Sequence, residues 1–208
     1  MQIIRTVLKS SDGDWRAARR ANARAAVLDA AWGLVRENGL AALSLRELAK
    51  RAGITTPTVY AYFESKNAIL DAMFADAAQS FVELMSSMPS SDDPLADMVA
   101  AARRFSDFCV SDVPRYQLLF QHSVPGFTPS PESYGIALSA LALARDLLAR
   151  NGVHDPRHLD IWTAITTGLV GQQISNDPGG DRWTGLIEDV TRMFLAQYGD
   201  ATQHKGES

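Results

Sequence analysis

Residues 43–70, LSLRELAKRAGITTPTVYAYFESKNAIL, constrain the fold more tightly than any other stretch of the chain. Ser44 followed three residues later by Glu47 forms a capping box, in which hydroxyl and carboxylate satisfy amides that a helix start leaves open. Leu43 and Leu48 stand where a hydrophobic staple closes over that cap. A short helix is therefore expected from Leu45, burying Leu45, Leu48, Ala49 and Ala52 and stopping at Gly53, which can turn left-handed. Thr55 then caps a second short helix. Pro57 falls in its first turn, where a missing N–H costs nothing. Ile54 against Val59 repeats the staple. Two capped helices joined by a glycine turn read as a helix-turn-helix, whose DNA-binding version lays its second helix in the major groove.

The same residues carry a family resemblance. The apolar-Ser-Leu-Arg-Glu-Leu-Ala entry, Ala52-Gly53-Ile54, Thr58-Val59-Tyr60, Tyr62-Phe63 and Ser65-Lys66 resemble the DNA-binding segment of TetR (tetracycline-repressor-like) transcriptional regulators. The resemblance implies phosphate contacts from Tyr60 and Lys66, the latter beside a helix N-terminus. It also implies groove-facing positions at Thr56, Thr58 and Tyr62. On the second helix, 100° per residue puts Val59 and Phe63 on the inner face and Thr56, Pro57, Tyr60 and Ala61 on the outer one. Tyr62, at the flank, reads equally as core. No Arg, Asn or Gln lies on that outer face for bidentate base readout. Sequence choice would then rest on threonine contacts, on Arg46, or on DNA shape.

Charge supports nucleic acid only once it is divided. The net charge of −4 hides a basic N-terminal third. Residues 1–66 hold eleven Lys and Arg against six Asp and Glu, and residues 67–208 hold nine against eighteen. A basic reader on an acidic body is the expected footprint of a small DNA-binding module carrying something else.

Before the motif, residues 1–13 show no sustained period and read as a mobile tail. A helix is expected from Asp14, with Leu28, Ala31, Trp32 and Val35 at core spacing, ending at Asn38-Gly39. Arg16, Arg19, Arg20 and Arg24 on its front read either as a solvated basic face or as an arm reaching DNA. After the motif, Ser65 caps a longer helix through Leu84. The resemblance implies that this helix connects the DNA domain to the body. Residues 86–94, rich in Ser, Asp and Pro, form the one clear linker. Helical periodicity resumes at Leu95, and Pro114 opens a short apolar helix. Further helices are expected over about 132–150, 156–175 and 182–198. The fold class is thus all-α, with a three-helix DNA-binding domain (14–66), a helical ligand-binding and dimerisation body (67–198) and a tail (199–208).

The body resembles one branch of the family more loosely, through the proline-bearing loop 124–131 and the helix led by Trp162. Many members carry His-Gly on that helix where this chain has Thr167-Gly168, so no histidine role transfers. Phe105, Phe108, Tyr116, Phe120, Phe127, Tyr134 and Trp162 form an aromatic set that either lines a cavity or fills a solid core. His122, Thr166, Gln172 and Gln173 are the polar groups that could orient a ligand. The candidate ligand residues are Phe105, Phe108, Tyr116, Phe120, His122, Trp162 and Thr166. Such a lining suits a small, largely apolar, uncharged effector. Gly168 and Gly171 allow close approach of another helix. With Ile187, Val190 and Phe194 on the last helix, they are the candidate seam of a homodimer.

Other classes find less support. No nucleophile elbow, phosphate loop or HExxH motif occurs, so the chain does not read as an enzyme. His154 and His158 are only a weak zinc hint, and no cofactor or metal is called for. Cys109 is the single cysteine and reads as a buried thiol or a redox sensor. No apolar run spans a membrane and no signal-peptide core is evident, so a cytoplasmic location is expected. The reading is a ligand-responsive repressor that binds a pseudo-palindromic double-stranded operator as a homodimer. The rival is a small-molecule-binding or enzymatic domain whose helix-turn-helix is only structural.

Overall fold

A computed structural model of the chain describes residues 2–199, with side chains from Trp15 onward. Among the described residues there are nine α-helices, two short 3-10 turns and no strands. The helices are α1 (Gln2–Asn38), α2 (Leu45–Arg51), α3 (Thr56–Tyr60), α4 (Lys66–Ser86), α5 (Pro94–Ser111), α6 (Val113–Phe120), α7 (Pro131–Arg150), α8 (Pro156–Asn176) and α9 (Ile187–Tyr198). Asp14, expected to start the first helix, lies inside α1. The side chains of the tail assigned to 1–13 lie outside the described residues, as does the tail assigned to 199–208, apart from Gly199.

The chain divides into two compact units. One runs to Met73 and takes in Ser123–Thr128; the other holds Phe74–His122 and continues from Pro129. The division falls inside α4, after Met73, and Ile69, Leu70 and Met73 on the first side of it are fully buried.

In the first unit α1 packs on α2, and Trp32, Val35, Leu48, Val59 and Phe63 are buried together. Burying side chains of this size contributes about 1.5–3 kcal/mol each. Arg51 adds a lateral clamp, donating to both Glu37 oxygens at 2.6 and 2.7 Å. Its guanidinium lies so close to Gly33 that a Cβ there would stand 2.6 Å from Nη2. Glycine in the middle of a helix, ordinarily a weakness, is what lets this arginine lie against α1.

In the second unit α5, α8 and α9 enclose a core of Met98, Ala102, Leu148, Trp162, Ile187 and Phe194. Side-chain caps open the helices: Asp93 for α5, Asp112 for α6, Ser130 for α7 and Asp155 for α8. The last helix begins five residues later than the expected 182. The amides of Trp183 and Thr184 bond to Gln173 Oε1 (2.9 and 3.2 Å), and that of Arg182 to Asp177 Oδ2 (3.0 Å). Side chains from the end of α8 thus take up the amides that an earlier helix would have used. A 3-10 turn over Thr184–Leu186 intervenes before Ile187. Gln173, which the sequence offers as a ligand-orienting group, is a buried brace for this turn.

Candidate nucleic-acid interface and effector cavity

The recognition element is built by local chemistry at each junction. Ser44 Oγ accepts the Glu47 amide at 3.2 Å, opening α2. At its end Gly53 adopts φ +66°, its amide bonds to Lys50 O (3.3 Å) and the Ile54 amide bonds to Ala49 O (3.0 Å). This pair of bonds is a Schellman ending, and it sets the angle between α2 and α3. Thr55 Oγ1 then accepts the Thr58 amide at 3.3 Å and opens α3. A side-chain cap of this kind contributes about 1 kcal/mol.

Val59 and Phe63 are buried, whereas Pro57 and Tyr60 are exposed, Tyr60 by 52%. Thr56, Thr58, Tyr62 and Lys66 are half-buried, and Arg46 is exposed on α2. The Thr58 hydroxyl sits 2.8 Å from the Thr55 hydroxyl, so it serves the cap as well as any base edge. Removing it would alter α3 itself, and Thr56 is the cleaner position for testing readout. Ser65 Oγ accepts the Ala68 amide at 3.0 Å, and Lys66 follows as the first residue of α4.

The four arginines expected on the front of α1, Arg16, Arg19, Arg20 and Arg24, have divided duties. Arg20 Nη2 donates to Ala61 O at 3.1 Å, satisfying a carbonyl at the end of α3 where a cation is favoured. Arg24 lies 4.6 Å from the centre of the Phe63 ring. These two hold the recognition helix against α1. Arg16 and Arg19, with Trp15 and Arg20, border a shallow cleft beside Ala61 and Tyr62. Neither a purely solvated face nor a free arm describes the set.

In the second unit a cavity of about 380 Å³ lies among α4, α5, α6, α7 and α8. Phe105, Phe120, Trp162 and Thr166 line it, as the sequence suggests. The other three ligand candidates are not among its walls. Phe108 is buried against Phe81, ring centres 5.0 Å apart. Tyr116 is buried and accepts from Gln121 Nε2 at 3.3 Å. His122 is exposed just beyond α6 with φ +46°, so it is corrected from a ligand group to a loop residue. Tyr134 is exposed.

The space exists because of small residues. Ala101 and Ala102 of α5, with Ala137, Ala140 and Ala144 of α7, form part of the wall where larger side chains would fill it. Phe81 and Met85 complete it from α4; Phe81 meets Phe105 and Phe120 edge-on at 5.9 and 5.5 Å.

One rim of the cavity is tied down by charge. Arg150 Nη1 donates to Asp97 Oδ2 at 2.7 Å and Nη2 to Ser91 O at 2.9 Å. The Asp97 carboxylate also accepts the Ser91 hydroxyl (2.7 Å) and amide (3.0 Å). This fastens the linker, whose Met88, Pro89 and Ser90 wall the cavity. The Ser91 bonds foremost, and then Arg150, hold the Asp97 carboxyl at about 2, below the ordinary 3.8. A depressed carboxylate stabilises the fold above its unfolded pKa, and that contribution fades as pH falls through the folded one. We expect the melting-temperature advantage of wild type over Asp97→Asn to hold at neutral pH. It should shrink between about pH 4 and pH 2. An advantage constant across that range would show that the carboxylate charge does not hold the linker.

The seam candidates also separate. Gly168 is exposed on α8, and an added Cβ would meet nothing within 4 Å among the described residues. Gly171 is half-buried, 3.7 Å from the Tyr116 hydroxyl on the same measure, and Val190 is half-buried. Ile187 and Phe194 are each only 3% exposed within this chain's own core. They are corrected from seam to core: α9 turns them toward Met98 and Trp162. The apolar residues α9 and the turn before it leave exposed are Met193 and Leu186. The sequence reading missed these, together with Phe81, the alanine wall and the Asp97–Arg150 tie. The alternation of Ala and Leu in residues 137–144 was the available signal for the wall. His158 lies against Tyr198 at 4.1 Å, and no group of three potential metal ligands is found among the described residues. Nor is any described helix long and apolar enough to cross a membrane.

Residues 27–73 match the family model described as bacterial regulatory proteins, tetR family. An HTH-type transcriptional regulator of Mycobacterium tuberculosis is 26% identical over 188 residues, covering 78% of this chain and 76% of that protein. Among solved structures, a tetR-family transcriptional regulator from Streptomyces coelicolor superposes with a TM-score of 0.68. It is 19% identical and covers 85% of this chain and 80% of that one. The transcriptional regulator FadR from Bacillus subtilis, solved in complex with stearoyl-CoA, gives 0.65 at 19% identity, covering 82% and 97%. Both structural likenesses bear on the fold. Residues 27–73, the capped helix pair and its flanks, thus carry the DNA-binding segment of bacterial regulatory proteins of the tetR family, set in a fold similar to that of TetR-family regulators over most of the chain.

Proposed function

We propose that this regulator is a repressor that binds a pseudo-palindromic operator as a homodimer and releases it when a small apolar molecule enters the body. The observation that carries this is the cavity walled by Phe81 and Met85 of α4. The same helix begins at Lys66, next to the recognition helix. A molecule in the cavity therefore touches the element that leads directly into the DNA-binding unit. In the dimer, two α3 helices would enter successive major grooves about 34–36 Å apart. Tyr60 and Lys66 would hold phosphates, and Arg46, Thr56, Pro57, Thr58 and Tyr62 would serve sequence choice at the groove. A cytoplasmic location follows from that role. The rival enzymatic reading draws on no catalytic constellation, and the basic N-terminal third speaks against it.

DNA binding should weaken steeply with salt, because each neutralised phosphate releases counterions. Lys66→Ala is expected to weaken binding to all sequences alike and to flatten the salt slope by roughly one unit. Footprinting on the DNA flanking the protein's own gene would supply the operator for this titration. A slope and affinity unchanged by the substitution would remove Lys66 from the interface.

A further inference from the structure

The arginines on the front of α1 change surroundings in order along the helix. Arg16, Arg20 and Arg24 stand one turn apart, with Arg19 beside them. Arg24 lies on the ring of buried Phe63, and Arg20 reaches the carbonyl of exposed Ala61. One turn further out, about 6 Å along the axis, Arg16 and Arg19 border the cleft beside Ala61 and Tyr62. Both are exposed, and among the described residues no hydrogen bond or ion pair holds either of them. Arg16 rests 5.9 Å from the centre of the Trp15 ring, a contact that leaves its N–H donors open. No acidic residue occurs between Trp15 and Leu28, and Glu64 is the only one between Ile54 and Lys66. The cleft therefore concentrates positive charge, and the residues that follow α3 form one of its walls.

We propose that this cleft is a second DNA contact, in which Arg16 and Arg19 bind backbone phosphates beside the groove that α3 enters. This rests on the reading of α3 as the recognition helix, and it adds contacts that the helix-turn-helix itself does not contain. Ala61 and Tyr62 follow directly on the exposed Tyr60, so a duplex lying on α3 passes the mouth of the cleft. Arginine suits the role because its planar fork meets phosphate oxygens bidentately and keeps its charge at any working pH. Arg20, spent on Ala61 O, positions the wall and is not one of the two contacts. The outer face of α3 carries no Arg, Asn or Gln, and backbone contacts from α1 offset that poverty in affinity. Phosphate contacts fix register without reading sequence. The cleft should therefore strengthen binding to every duplex alike and leave the choice among sequences to α2 and α3.

The test is fluorescence anisotropy of the full chain on the footprinted operator and on an unrelated duplex, across a salt series. Arg16→Gln combined with Arg19→Gln should flatten the salt slope by about two units per half-site, one for each phosphate lost. Operator and unrelated duplex should weaken by the same factor, and either single substitution should give about half the change in slope. The melting temperature should stay nearly constant, since neither side chain is bonded within the described chain. Arg16→Lys with Arg19→Lys keeps the charge and should retain the slope. Phosphate-ethylation interference separates contact from a general loss of charge. Some ethylated phosphates that weaken the wild type should no longer affect the glutamine variant, while those that depend on Lys66 still do. An identical interference pattern, or an unchanged slope with Lys66→Ala still weakening binding, would overturn the cleft as a contact and leave α3 in place. A loss confined to operators with A·T pairs beside the half-site would overturn phosphate binding in favour of minor-groove reading. Absence of salt-sensitive binding by the wild type would overturn the cleft and the recognition helix together.

Discussion

Gly168→Leu is expected to split the proposed dimer and to lower operator affinity by roughly 10²- to 10⁴-fold, the advantage that two linked half-sites give over one. The position suits the test because the chain itself does not oppose a side chain there. A Cβ on Gly168 meets nothing within 4 Å among the described residues, and glycine inside a helix is about 1 kcal/mol less favourable than alanine. The substitution should therefore leave the monomer folded, and any loss of assembly must come from a second copy. Gly171 offers no such clarity, since a Cβ there would already stand in contact with the Tyr116 hydroxyl, at 3.7 Å. Gly168→Ala serves as the control and should keep the dimer while raising the melting temperature slightly. Sedimentation at micromolar concentration reads the outcome. A Gly168→Leu protein that stays dimeric would move the seam elsewhere, and α7, with Tyr134, Leu138 and Leu141 exposed, would be the next surface to test.

The helix-turn-helix was legible residue by residue because its determinants are local. Ser44, Gly53, Thr55 and Ser65 each fix a helix end through bonds to amides or carbonyls three to five residues away, so spacing alone carries the information. The Arg51–Glu37 clamp over Gly33 was not legible. Its partners are fourteen residues apart, and the glycine matters only once the two helices touch. The cavity was half-legible for the same reason. Aromatic residues mark a core, but a void requires small residues opposite them, and Ala101 and Ala140 meet only in the folded unit. Helical periodicity could say that Phe108 and Tyr116 are buried, but not that they face away from the cavity. The late start of α9 depended on Gln173 and Asp177 reaching across a turn to the backbone. An apolar residue on that helix, such as Phe194, looks the same in sequence whether it faces its own core or a partner.

Operator and effector should oppose each other by the same factor in both directions. A molecule in the cavity would touch Phe81 and Met85, so it could favour one placement of α4 over another only if those contacts differ between the two placements. Couplings of this kind are typically about 1–3 kcal/mol, a factor of roughly 5–150 in affinity. We expect a saturating cavity ligand to weaken operator binding within that range. Operator DNA, in turn, should weaken ligand binding equally. Phe120→Ala separates binding from switching. Phe120 packs on Phe81 and Phe105 at 5.5 and 5.3 Å and lines the cavity, but it lies outside the DNA-binding unit. The variant should lose ligand affinity, keep the operator affinity of the free protein nearly intact, and need more ligand to release DNA. Titration of the ligand with and without operator, by calorimetry and by fluorescence anisotropy of labelled DNA, measures both sides of the cycle. Equal ligand affinities in the two titrations would mean that the cavity is occupied without being the switch, and that α4 does not transmit its occupancy.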